Sequence, residues 1–158
     1  MKYLSRQIVF REVPDEISLS YLVTGCPFRC VGCHSSDSWN PKVGQDLTRA
    51  VLEADLDRYG DWISCVLFLG GEWESETLVE LLVIARSRGY KTCLYTGAED
   101  VPSSIRIHLN YLKVGPFIAA KGGLDRPTTN QRFFDLDQQR CLNQAFQSTG
   151  GSDDSTHA

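Results

Sequence analysis

Along the middle of the chain, apolar runs that stop at glycine alternate with helical patterns that also stop at glycine. Residues 62–69 (WISCVLFL) form a nearly unbroken apolar run, which suits a strand buried on both faces of a parallel sheet, and the run ends in Gly70-Gly71-Glu72. Residues 17–24 (ISLSYLVT) are β-branched and alternating, and they stop at Gly25. Residues 91–95 read as a third strand closed by Thr96-Gly97, and residues 111–114 as a fourth followed by Gly115-Pro116. Between them lie helical patterns. Leu47, Ala50, Val51 and Ala54 share a face over about 46–59, with Gly60 as the stop; Leu78, Leu81, Leu82 and Ala85 do so over about 75–88, with Gly89 as the stop. A shorter helix is expected over about 102–109.

Strand and helix alternating at these lengths predict βαβ units, hence an α/β fold with a mainly parallel sheet. A complete eightfold β/α barrel needs about 200 residues or more. With 158 residues the expectation is an abbreviated, partial β/α barrel forming one domain over residues 1–146. From 147 to 158 the composition turns to Ser, Thr, Gly and Asp, which buries too little to order itself, and a flexible tail is expected.

Ligands in such folds gather at the C-terminal ends of the strands, where each glycine-bearing motif lies. One of these motifs is rich in thiols. Cys26, Cys30 and Cys33 fall within eight residues on the loop after the first predicted strand, near enough to wrap one group. Cubane iron–sulfur clusters normally take four cysteines. Three leave one iron with an open position, and the amino and carboxylate groups of S-adenosylmethionine could chelate it for one-electron cleavage. The alternatives are a structural zinc site completed by His34 or a distant cysteine, in a non-enzymatic interaction module, and an unrelated redox or structural thiol cluster. Against zinc, His34 directly follows Cys33 and the chain has no second C-x-x-C pair. Cys65 and Cys93 lie in predicted strands and read as small buried hydrophobes; Cys141 is isolated.

The net charge of −4 and the scattered Lys and Arg argue against nucleic acid as a partner. Neither a signal-peptide core nor a run of roughly 20 apolar residues is present, so a soluble cytoplasmic protein with no membrane partner is expected. No nucleophile–base pair or paired carboxylates point to hydrolysis.

The C-x-x-x-C-x-x-C pattern followed by Gly70-Gly71-Glu72 resembles the radical S-adenosylmethionine superfamily. The strings GCPFRCVGCHSSDSW (25–39), FLGGEW (68–73), YTG (95–97), KVGPF (113–117) and TTNQR (128–132), in that order, are most similar to the activating proteins of anaerobic (class III) ribonucleotide reductase. The superfamily often has an aromatic residue before its third cysteine. Gly32 stands there in this chain, as in that subgroup.

The resemblance implies a [4Fe–4S] cluster on Cys26, Cys30 and Cys33 with one open iron, one S-adenosylmethionine, and a glycyl radical raised in the large subunit of anaerobic ribonucleoside-triphosphate reductase. It implies cofactor contacts from Gly32, Cys33, His34, Gly70, Gly71, Glu72, Thr96, Gly97 and Lys113, with no catalytic residue beyond cluster and cofactor. Lys113, Asn130, Gln131 and Arg132 could orient the cofactor, receive the partner's glycine loop or merely anchor local backbone, and Trp39 and Trp73 read as packing. Activation of another glycyl radical enzyme, or a small-molecule radical reaction, is the enzymatic alternative. The chain has no flavin motif or second cluster set, so an external low-potential donor, a flavodoxin or ferredoxin, is expected.

Overall fold

The structure, a computed structural model, describes residues 1–147. Of the tail expected over 147–158, Gln147 closes the last helix and the rest lies outside the described residues. The elements are β1 (Lys2–Val9), β2 (Ser18–Val23), β3 (Gln45–Asp46), α1 (Arg49–Tyr59), β4 (Cys65–Leu69), α2 (Ser75–Ser87), β5 (Lys91–Tyr95), α3 (Ser103–Arg106), β6 (Tyr111–Val114), β7 (Arg132–Asp135), β8 (Arg140–Cys141) and α4 (Asn143–Gln147). Among the described residues no helix is long and apolar enough to cross a membrane.

All eight strands form one sheet in the order β3-β1-β2-β4-β5-β6-β7-β8. The expected parallel strands are present: β2, β4, β5 and β6 are parallel neighbours. The sheet as a whole is not mainly parallel, and this corrects the expectation. Four of its seven neighbour pairs are antiparallel, β1 with β2 and β3 on one side, β6 with β7 and β7 with β8 on the other. The reason lies in the connections. Helices carry the chain between β2, β4, β5 and β6, whereas the flanking strands return through turns and loops, and a direct return pairs strands antiparallel. The outer strands do not meet, so the expected partial barrel is an open, mixed sheet.

The parallel strands place residues alternately on two faces. One face, carrying Leu19, Tyr21, Val66, Phe68, Leu94 and Leu112, packs under Leu52 and Leu56 of α1 and Leu78, Leu81, Leu82 and Ala85 of α2. Each leucine buried there contributes about 1.5–3 kcal/mol. The other face, Cys65, Leu67, Cys93, Tyr111 and Phe133, is covered by Val13, Leu124, Leu142 and Phe146 of α4. Phe146 sits 5.1 Å from the Phe133 ring. Cys65 and Cys93 have no exposed surface, as expected of small hydrophobes in strands, and burial pushes the Cys65 thiol up to about 12.

Local chemistry sets the helix ends. Thr48 caps α1, its hydroxyl accepting from Val51 N at 3.3 Å. After α2, Gly89 takes φ 87°, and the bonds Tyr90 N to Ala85 O (3.1 Å) and Gly89 N to Arg86 O (2.9 Å) close a Schellman motif. Gly60, at the end of α1, is glycine for another reason. Its φ is −55°, but a side chain there would meet the Tyr90 hydroxyl at 2.3 Å.

At the N-terminal ends of the parallel strands, buried Glu16 accepts from Lys91 Nζ (2.9 Å), Tyr111 Oη (2.8 Å) and Ser64 Oγ. One carboxylate thus ties the start of β2 to β5, β6 and the lead-in to β4. Burial alone would push its pKa up, yet these three donors outweigh burial and hold it below the usual carboxylate range.

Candidate cluster and cofactor site

At the opposite, C-terminal ends of the parallel strands the chain leaves the sheet through the cysteine loop. Gly25 takes φ 87°, its N–H donates to Ser38 O at 2.7 Å, and a Cβ on it would lie 3.1 Å from Pro41 and 3.2 Å from Trp73 Nε1. Trp73 in turn donates to Thr24 O at 3.1 Å, fixing the base of the loop. Backbone N–H groups are turned toward sulfur: Ser35 N lies 3.4 Å from Cys33 Sγ, and those of Phe28 and Arg29 point at Cys26 Sγ. Burial raises the Cys26 thiol and these two donors oppose the rise. Such N–H···S contacts also tune thiolates that bind iron.

The loop forms one wall of a cavity of about 320 Å³. Cys26, Cys30, Cys33 and His34 line it from the loop; Gly70 and Glu72 after β4, Thr96 and Gly97 after β5, and Lys113 on β6 line it from the strand ends. Nine of the eleven residues expected to contact cluster or cofactor therefore share one cavity. The other two, Gly32 and Gly71, do not line it. A Cβ on Gly32 would face Phe117 and Ala119 at 3.6 and 3.7 Å, and one on Gly71, at φ 114°, would face Met1 Sδ at 3.0 Å.

The glycines make room for aromatic rings. A Cβ on Gly70 would stand 2.4 Å from the Trp73 ring, and one on Gly97 would stand 2.8 Å from the ring of Phe28 in the cysteine loop. Gly97 thus supports the loop in addition to bordering the cavity. His34 is 6.1 Å, centre to centre, from the Phe117 ring.

Polar groups in the cavity are only partly satisfied. Thr96 Oγ1 accepts from Ala98 N at 2.9 Å and donates to Glu72 Oε1, so the carboxylate is held in place. Glu72 Oε2 is buried with no partner, and burial raises the Glu72 pKa. The indole N–H of Trp39 is also buried without an acceptor. Gln131, 7% exposed, lines the cavity from the residue just before β7. The unpartnered indole of Trp39 and the place of Gln131 in the lining were not apparent from residue type. Tryptophan reads as packing by composition, and Gln131 reaches the cavity only because β7 returns antiparallel beside β6.

Three thiols, two of them with N–H donors on their sulfurs, and an unpartnered carboxylate oxygen on a residue lining the same cavity fit a cluster with an aminoacyl ligand. Among the described residues no three His, Cys, Asp or Glu side chains gather tightly enough for a single metal ion. Thiolates on separate irons of a cubane are spaced more widely than ligands of one zinc, whose Zn–S bonds are about 2.3 Å.

Residues 17–110, more than half of the chain, match the family described as 4Fe-4S single cluster domain. The chain belongs to this family. In this 4Fe-4S single cluster protein the matched span begins just before β2 and takes in the three cysteines, the Gly70–Glu72 turn and Thr96-Gly97. It is also similar to the pyruvate formate-lyase-activating enzyme of Clostridium pasteurianum, at 33% identity over 78 residues, covering 46% of this chain. The chain spans about 33% of the length of that curated relative.

Proposed function

We propose that the protein is a radical S-adenosylmethionine activating enzyme in which Cys26, Cys30 and Cys33 hold a [4Fe–4S] cluster. The observation that carries this reading is the placing of all three thiols in the lining of one cavity together with Glu72, whose Oε2 is buried and unpartnered. When bound, the cluster would supply the electron that cleaves the cofactor's sulfonium, yielding methionine and the 5′-deoxyadenosyl radical that takes hydrogen from a partner's glycine.

The protein's own groups bind and enclose. Gly70 lines the cavity that would take the methionine moiety, while Gly71 and Gly32 shape the turn and the cysteine loop without lining it. Glu72, locked by the Thr96 hydroxyl, would accept from the cofactor's ammonium at its free Oε2. Phe28, Trp39, Trp73 and Phe117 exclude water from the reacting carbon. An external flavodoxin or ferredoxin supplies the electron.

The target we favour is the large glycyl radical subunit of anaerobic ribonucleoside-triphosphate reductase, supported by the KVGPF and TTNQR strings. The likeness to a pyruvate formate-lyase-activating enzyme favours a second reading, activation of another glycyl radical enzyme. The test is anaerobic reconstitution with iron and sulfide, then electron paramagnetic resonance with and without S-adenosylmethionine and assay of 5′-deoxyadenosine. A reduced-cluster signal that changes with the cofactor and yields 5′-deoxyadenosine supports the enzyme. Tight zinc binding without cleavage defeats it in favour of an interaction module. Incubation with each candidate partner, reading the glycyl radical signal, separates the two targets.

A further inference from the structure

Lys113 is 7% exposed, and its ammonium donates only to backbone carbonyls, Gly115 O at 2.8 Å and Thr96 O at 3.4 Å. Among the described residues it has no ion-pair partner. Taking an ammonium out of water without a counter-charge is costly. Burial accordingly lowers its pKa to about 8, against the opposing pull of Cys30, Cys33, Glu72 and Cys26. Among the described residues it is the only lysine or arginine lining the cavity, and it shares that lining with thiols that become anionic on binding metal and with a carboxylate.

The backbone would be tied equally well by a neutral donor. Two carbonyls ask for N–H groups, and a glutamine could supply them. What a lysine adds at this place is a positive charge, held in a fixed position by those same carbonyls and aimed into a cavity of low dielectric. We propose that Lys113 is the built-in counter-cation of the three-cysteine site, whose charge favours the reduced state of the cluster held there. The inference rests on the cluster reading above. It concerns the protein before S-adenosylmethionine binds, and this separates it from a role in gripping the cofactor's carboxylate.

The experiment is a potentiometric titration of the anaerobically reconstituted protein, without S-adenosylmethionine, using dithionite as the one-electron reductant and following the reduced-cluster resonance. Wild type, Lys113→Gln, Lys113→Met and Lys113→Arg are compared at equal iron and sulfide content. Lys113→Gln and Lys113→Met are expected to make reduction at least about tenfold less favourable, a shift of about 59 mV to more negative potential for one electron. Lys113→Arg is expected to stay near wild type. Because Lys113→Gln keeps donors for the carbonyls, a shift shared by Gln and Met but absent in Arg marks charge and not structure. Loss of cluster loading in both neutral variants with retention in Arg supports the same conclusion, since the thiolates then need the cation to assemble. Fully loaded neutral variants with unchanged potential overturn the inference while leaving the proposed function standing, as does a shift that appears only after S-adenosylmethionine is added. A wild type that takes up no cluster overturns both.

Discussion

At the scale of single residues, the cysteines divide by position. Replacing Cys26, Cys30 or Cys33 by alanine is expected to abolish stoichiometric iron binding, whereas Cys141→Ala, exposed on β8, leaves it intact; iron analysis after reconstitution decides. Glu72 is expected to act on the cofactor alone. Glu72→Gln keeps the cluster but weakens S-adenosylmethionine about 10- to 100-fold, the loss of a charged hydrogen bond, read from the cofactor concentration that changes the resonance. Gly97→Ala tests the support of the loop. Its Cβ would meet the Phe28 ring at 2.8 Å, an overpacking of about 1–3 kcal/mol, and faster iron loss to a chelator is the expected reading.

At the scale of elements, the Glu16 network makes a pH-dependent contribution. Its carboxyl is held below the usual range in the fold, so its stabilisation is present above the unfolded pKa and disappears as pH falls through the folded value. Glu16→Gln is therefore expected to cost about 1–3 kcal/mol near neutrality, the gap to wild type narrowing in acid; urea unfolding of the cluster-free proteins at several pH values measures it. The same elements show what was legible beforehand. β4 could be read because a strand buried on both faces is an apolar run, β2 from its β-branched alternation, and β5 and β6 as short segments closed by glycine, the stop that marks the end where ligands gather. β1 could not, since KYLSRQIV mixes Ser, Arg and Gln into a strand only partly buried. β7 and β8, four and two residues long, carry too little pattern to be told from loop. The site divides in the same way. Cysteine spacing and the Gly70–Glu72 turn are local in sequence, whereas the unpaired state of Trp39 Nε1 and the reach of Gln131 depend on neighbours brought in by the fold.

At the scale of the whole molecule, the two faces of the sheet are sealed by different means, long helices on one side and the short α4 with its loops on the other. Phe146→Ala, which removes the ring against Phe133, is expected to lower stability by about 1–3 kcal/mol, less than a fully buried phenylalanine because Phe146 keeps some exposure; thermal melting of the cluster-free protein reports it. The sheet also ends on each side in a strand of two residues, β3 and β8. β3 pairs only with Lys2 and Tyr3 of the eight-residue β1, so beyond Tyr3 that side of the sheet is left uncovered by a neighbouring strand among the described residues. A polypeptide that extended the sheet would therefore pair along residues 4–9 of β1, where β3 has already ended.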